Sequence, residues 1–173
     1  MYKPKSKVPP SISIFDIAGL VKGASDGAGL GNAFLSHIDA VDGIYHVVRA
    51  FPNEEVIHEE GDVDPIRDME IITNELIAKD LQKLTKVKPP IQLAIDRKND
   101  KQAKEEMAIL DKVTALLNDK KPVRDGDWNY KEIDFLNTLL FLTAKPVVYL
   151  VNIGFEEYKT KKNKYLPKIM QWI

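Results

Sequence analysis

The chain has no cysteine, which removes disulfides, thiolate nucleophiles and cysteine metal sites together and makes a reducing, cytoplasmic setting the expectation. Histidine is scarce as well. His37, His46 and His58 are too scattered for a metal constellation, and His58-Glu59-Glu60 lacks the second histidine of a zinc-protease helix. His46 sits inside an apolar run and reads as a packed histidine, and no serine, histidine and acid fall into a triad-like arrangement. Charge of one sign is equally lacking: 25 Lys and Arg against 26 Asp and Glu leave a net charge of −1. No global field draws the protein to an anionic membrane, and no direct DNA binding is expected. The longest apolar run, residues 147–151, is far too short to span a bilayer, and the basic start is followed by no apolar stretch that would make it a secretory signal. With 173 residues, 44% of them hydrophobic, the chain can bury one ordinary core, with room for an insertion but not for two comfortable domains.

What is present concentrates near the beginning. Residues 14–38 run from a short apolar stretch into Asp16, then through a glycine-studded loop (Gly19, Gly23, Gly27, Gly29, Gly31) into a helical pattern. An acid at the carboxyl end of a parallel strand stands where α/β folds bind ligands, and there it can hold a magnesium ion through water. Gly19, three residues on, lets a bare backbone N–H approach a terminal phosphate. Gly27-Ala28-Gly29-Leu30-Gly31 imitates a dinucleotide fingerprint, but that motif must follow its strand directly, and here Gly27 comes eleven positions after Asp16. The loop reads instead as a phosphate-sensing switch, whose backbone changes conformation when a phosphate is lost.

Three segments have the near-continuous, β-branched character of parallel strands covered on both faces: residues 11–16, 41–48 and 146–152. A short helix over about 32–40 joins the first two. From Pro65, with Asp64 as cap, the spacing of Ile66, Met69, Ile72, Leu76, Leu81, Leu84 and Val87 predicts a helix. A second follows over about 103–117. Pro89-Pro90 and residues 97–102 lie between them, so the expectation is an antiparallel helical hairpin projecting from the sheet. A helix over 129–142, with Ile133, Leu136, Leu139 and Leu140 on one face, returns the chain to the sheet. A last helix over about 156–172 carries Lys159, Lys161, Lys162, Lys164 and Lys168, a run that normally forms a solvated face.

Taken with the switch block, the stretches Asp42-Gly43-Ile44-Tyr45-His46, Arg49-Ala50-Phe51, Gly61-Asp62-Val63-Asp64-Pro65-Ile66-Arg67-Asp68, Lys121-Pro122-Val123-Arg124 and Lys161-Lys162-Asn163-Lys164 closely resemble the Obg-like ATPases of YchF type, P-loop proteins of the translation-factor class. The resemblance runs over almost the whole chain. It implies an α/β, Rossmann-like P-loop NTPase fold with a parallel sheet and an inserted, coiled-coil-like helical hairpin. It also implies Mg2+-dependent hydrolysis of ATP in preference to GTP, and a cytosolic role around ribosomes and stress responses. Residues 1–64 correspond to part of the nucleotide-binding domain with its second switch, 65–120 to the hairpin, and 121–173 to the return of the nucleotide-binding domain with its base-recognition strand.

The departures from the family pattern bear directly on activity. No Gly-x-x-x-x-Gly-Lys-Ser/Thr occurs in the sequence, so the β- and γ-phosphates lack their cradle and magnesium its hydroxyl ligand. The first switch and the C-terminal β-grasp-like domain have no counterpart either. The expectation is an internal or N-terminally truncated piece of a longer protein, inactive alone. Asn152 matches the asparagine that contacts the purine. Three residues later this class has a carboxylate, but here stands Phe155, with Glu156 one place out of step, so guanine selectivity loses its support and the Ile153 backbone is left to contact adenine. Leu20 follows the switch glycine where many GTPases place a water-orienting glutamine. Asp16 and Gly19 are thus the catalytic candidates, Asp16 the magnesium-linked acid, and Asn152 with Ile153 the base contacts. A reading from another class is a non-catalytic module that uses its hairpin and lysine-rich last helix to hold a ribosomal or other protein partner.

Overall fold

The computed structural model describes residues 6, 8–17, 36–53, 58 and 61–173. After a helical turn at residues 36–39 come strand β1 (Ile44–Arg49), helices α1 (Pro65–Lys98), α2 (Lys101–Asn118) and α3 (Tyr130–Leu139), strand β2 (Val147–Asn152), and helices α4 (Phe155–Thr160) and α5 (Leu166–Trp172). Two 3-10 turns, Val123–Asp125 and Leu142–Ala144, flank α3. The class is α/β: β1 and β2 pair in parallel, Ile44 opposite Val147 through Arg49 opposite Asn152.

The expected strand over residues 11–16 is not formed. A strand needs a ladder partner for its backbone N–H and C=O groups. Among the described residues no backbone hydrogen bond ties residues 11–17 to anything, and residues 11–16 are all exposed. The two strands that do form are covered on one face only, not on both. Val48 is buried with Met69, Ala50 and Ile169, while Tyr45 and Val47 on β1 and Val148 and Leu150 on β2 are between 44 and 64% exposed. Alternation replaces the expected double burial because, among the described residues, α1 and α5 cover a single side.

Asp64 caps α1 as the sequence predicts, its Oδ1 accepting from the N–H groups of Ile66 and Arg67, with Pro65 at the first helical position. The helix then runs straight through Pro89-Pro90 to Lys98, where the sequence pattern marks an end. Each proline deprives a carbonyl one turn back of its donor. Both prolines are exposed, and Leu84, Val87 and Ile91 pack in the same apolar cluster as Leu110 and Val113 and hold the helix together. Asn99, in the left-handed region at φ 50°, turns the chain, and Asp100 caps α2.

Two further boundaries differ from expectation. The helix over 129–142 stops at Leu139, and of its four expected core residues Leu136 is buried whereas Ile133 and Leu140 are exposed. The reason is Asp80, discussed below, which captures the N–H groups of Leu142 and Thr143 and pulls the chain into a 3-10 turn. The last helix is two helices, separated by Lys161 at φ 56° and by Asn163, whose Oδ1 accepts from the N–H groups of Tyr165 and Leu166 and so starts α5 afresh. The largest apolar core gathers Ile77, Leu84, Leu110, Val113, Leu117 and Phe141 away from the sheet. Smaller clusters seat the first turns of α1 against β1 and α5.

Candidate functional site

Parallel strands present their carboxyl ends on one side, and β2 ends there in Asn152. Its backbone carbonyl accepts from the Ala50 N–H at 2.8 Å, so the ends of β2 and β1 are tied together. Ile153 tucks against the cluster of Val48, Ala50, Met69 and Ile169. Gly154 then caps α4, which begins at Phe155. Phe155 is 75% exposed, so its ring is free at the surface beside Asn152, and Glu156 is exposed too. Lys159, Lys161, Lys162, Lys164 and Lys168 are all exposed around this end of the molecule.

Behind the strand end lies a closed ring of hydrogen bonds. Asn163 Nδ2 donates to the Ala50 carbonyl at 2.7 Å and to Glu157 Oε2 at 2.9 Å, and the same Glu157 oxygen accepts from the Gly154 N–H at 3.1 Å. A β-carbon on Gly154 would sit 3.3 Å from Glu157 Oε2, a tight contact that a side chain here would relieve only by shifting the carboxylate.

Asp16 lies elsewhere. It is exposed and lines a cleft of about 500 Å3 whose walls are Ile14, Phe15 and Ile17 on one side and Ile44 to Val47 on the other, with Ile72 and Leu76 beneath. Asn152 and Ile153 do not line it. Gly19, Leu20 and the remaining glycines of the loop lie outside the described residues. Among the described residues no group of three or more His, Asp or Glu could hold a metal ion, so Asp16 stands without a protein ligand set around it.

The cleft contains one imidazole. His46 packs its ring 5.4 Å from that of Tyr149, and burial, reinforced by the nearby Arg124 guanidinium, lowers its pKa from 6.5 to about 4. It is a packed, neutral histidine, as its place in an apolar strand predicts. Arg124 also donates to the Tyr149 hydroxyl at 3.3 Å and to the Thr143 carbonyl at 3.4 Å.

Asp80 and Lys145 are among the buried charges that escaped the sequence reading. Asp80, fully buried, accepts from the N–H of Leu142 and from the N–H and hydroxyl of Thr143 at 2.7 to 2.9 Å. Burial pushes its carboxyl above the usual range, against the pull of those hydrogen bonds. Lys145 donates to the carbonyls of Ile38 and Asp39 at 2.8 Å and of Val41 at 2.5 Å, closing the end of the helical turn that follows the glycine loop. Burial lowers its ammonium pKa, with Asp39 opposing the shift. Asp80 had a visible signal: it shares a helix face with Ile77 and Leu84, where an acid is out of place unless satisfied. Lys145 had none, because its partners are backbone carbonyls more than 100 residues away.

Comparison with known proteins follows the same lines. Residues 3–94, more than half of the chain, match the family described as 50S ribosome-binding GTPase. Obg-like ATPase 1 of Caenorhabditis elegans is 56% identical over 172 residues, 99% of this chain and 44% of that protein. The human Obg-like ATPase 1 is 52% identical over 174 residues, again 99% of this chain and 44% of that protein. The structure of the Schizosaccharomyces pombe YchF GTPase superposes with a TM-score of 0.80 at 52% identity, covering 98% of this chain and 46% of that one. The chain therefore spans a little under half the length of these relatives.

Proposed function

Since the chain belongs to the 50S ribosome-binding GTPase family, in its Obg-like (YchF) branch, we propose that it carries the second switch and the purine-recognition edge of a nucleotide hydrolase that prefers ATP to GTP. The observation that carries this reading is Asn152, held at the carboxyl end of β2 by Ala50, with Phe155 three residues beyond. The asparagine amide can donate and accept along a purine edge, and the Ile153 backbone offers a contact to adenine. Phe155 cannot accept the two N–H donors by which guanine is told from adenine, so the usual advantage of GTP disappears.

On the phosphate side Asp16 is the acid of the switch and Gly19 the sensor of the γ-phosphate. Asp16 would hold Mg2+ through water, and the ion would supply positive charge to offset that of the phosphates. Among the described residues no group of three or more His, Asp or Glu accompanies Asp16 to complete a ligand set for it. Leu20 has no hydrogen-bonding group and cannot orient water, so the attacking water depends on substrate phosphate or a residue supplied by a partner. The sequence holds no phosphate loop, so the chain by itself turns over little or no ATP. The division into residues 1–64, 65–120 and 121–173 is part of the same proposal, as are a cytoplasmic setting, a link to stress responses and a ribosomal partner. The family's description and the exposed lysines around α4 and α5 favour ribosome contact.

A chimera in which this chain replaces the matching segment of the C. elegans relative tests the reading. Competition titrations should give ATP binding at least as tight as GTP, and a GTP preference above about tenfold would overturn it. A chimera that binds neither nucleotide, yet still holds ribosomes, would favour the alternative of a non-catalytic interaction module built on the separate helical core.

A further inference from the structure

We infer that Asn163 and Glu157 are positioning residues for the purine: they do not touch the base but hold the backbone that does. The inference rests on the reading of Asn152 and Ile153 as the base contacts. The loop from Asn152 to Gly154 has no secondary structure of its own beyond the strand end, and a loop that must present a backbone group to a ligand needs external support. That support is the ring already described. Ala50 N–H holds the Asn152 carbonyl, Glu157 Oε2 holds the Gly154 N–H, and Asn163 Nδ2 bridges Glu157 to the Ala50 carbonyl.

Three features make this more than ordinary loop packing. The ring encloses Ile153 from both sides, so its backbone cannot shift without breaking a bond. Asn163 uses both ends of its amide, Nδ2 on the ring and Oδ1 on the N–H groups of Tyr165 and Leu166, which anchors the loop to α5 and through Ile169 to the buried face of β1. Gly154 leaves the room that lets the Glu157 carboxylate come this close. Asn163 is half-buried and Glu157 likewise, so water competes weakly for these bonds.

The chemistry separates the two residues' contributions. Asn163→Asp keeps an oxygen for the α5 N–H groups but deletes both Nδ2 bonds and sets a second carboxylate against Glu157. Glu157→Ala leaves Asn163 and the α5 start intact but frees the Gly154 N–H. Glu157→Gln keeps an acceptor oxygen in the same place. If the ring acts only through positioning, the first two should behave alike and the third like the parent.

The experiment titrates the isotopically labelled 173-residue chain with adenosine and with ATP, following the amide resonances of Ile153 and Gly154, with a thermal melt on each variant. The expected result is that both ligands shift these amides in the parent chain. Asn163→Asp and Glu157→Ala should each weaken both ligands by about tenfold, the scale of losing one or two partly buried hydrogen bonds. Glu157→Gln should stay within about threefold of the parent, with melting temperatures grouped apart from affinities. Equal affinities in the parent, Asn163→Asp and Glu157→Ala chains would overturn the inference, as would Glu157→Gln losing as much as Glu157→Ala. If Asn163→Asp alone unfolds, the Glu157 pair decides. A parent chain whose Ile153 and Gly154 amides respond to neither ligand, while Gly154 exchange still rises in Glu157→Ala, would show that the base-site reading has failed and the ring is purely structural.

Discussion

At the far end of α1, Leu84 is sealed among Leu110, Val113 and Phe141, the last three fully buried; at its near end the same helix crosses β1, where Tyr45 and Val47 stand 50 and 64% open to solvent. The helical part closes on itself. The strand part has one finished face, which α1 and α5 cover, and one that remains exposed among the described residues. The difference follows from geometry. Antiparallel helices joined by a two-residue turn satisfy their own backbones and need only a shared apolar seam, whereas a strand needs neighbours on its edges and cover on two faces. Function divides the same way. The residues read as chemical, Asp16 and Asn152, are on the strand side, and the largest buried apolar cluster is on the helical side.

The largest expected effect is on activity. Magnesium-dependent phosphate release by the chain as given should fall orders of magnitude below that of the chimera described above, because positioned N–H donors and a lysine are most of what phosphoryl transfer requires. Turnover comparable to the chimera, abolished by Asp16→Asn, would put the phosphate site somewhere other than proposed.

Next comes the contrast in packing itself. Leu110→Ala, in the closed core, should lower unfolding free energy by about 3 to 5 kcal/mol, while Val47→Thr on the open sheet face should change it by less than about 0.5 kcal/mol. Urea titrations with unchanged slope would read both. Equal costs would mean that Val47 is covered in solution and the two regions are alike.

A pH series separates the regions in another way. His46 has its folded pKa depressed to about 4 from 6.5. Its neutral form therefore contributes stability that is complete above pH 6.5 and lost as pH falls toward 4, at most about 1.4 kcal/mol per pH unit. Asp80 acts with the opposite sign. Its folded pKa is raised, so its contribution is fullest below the ordinary carboxylate range and shrinks as pH rises through the raised value. Urea midpoints at several pH values should flatten in the acid limb for His46→Gln and leave the Asp80 component in place. A parallel loss in both would show that they titrate as one system.

The smallest effect is kinetic. Amides of α2 and of the later turns of α1 should exchange as one protected block that opens separately from β1 and β2. Opening of all four elements together would show that the helical part is no independent unit, and that the first turns of α1, packed through Met69 and Leu76, bind it to the sheet.

Much of this was legible in the sequence because its cause is local. Asp64-Pro65 starts a helix through a side chain and a fixed φ, the helical spacing of its apolar residues keeps it going, and the β-branched runs expected over residues 41–48 and 146–152 form strands at Ile44–Arg49 and Val147–Asn152. The candidate site was legible by type: an acid before a glycine loop, and an asparagine ending a strand. What misled was local too. Pro89-Pro90 reads as a stop, and only the seam with α2 decides otherwise.

By itself, then, the sequence determined where most of the helices and the two paired strands form and which class the fold takes, since these depend on side chains within a few positions of one another. Tertiary structure alone decided that residues 11–16 form no strand among the described residues, that α3 ends at Leu139 because Asp80 claims the next N–H groups, and that a ring from Ala50 to Asn163 holds Ile153 in place. The physical reason is common to all three. Each turns on a hydrogen bond made or left unmade between groups far apart in sequence, and no local pattern specifies the partner of a backbone N–H that another part of the chain must supply.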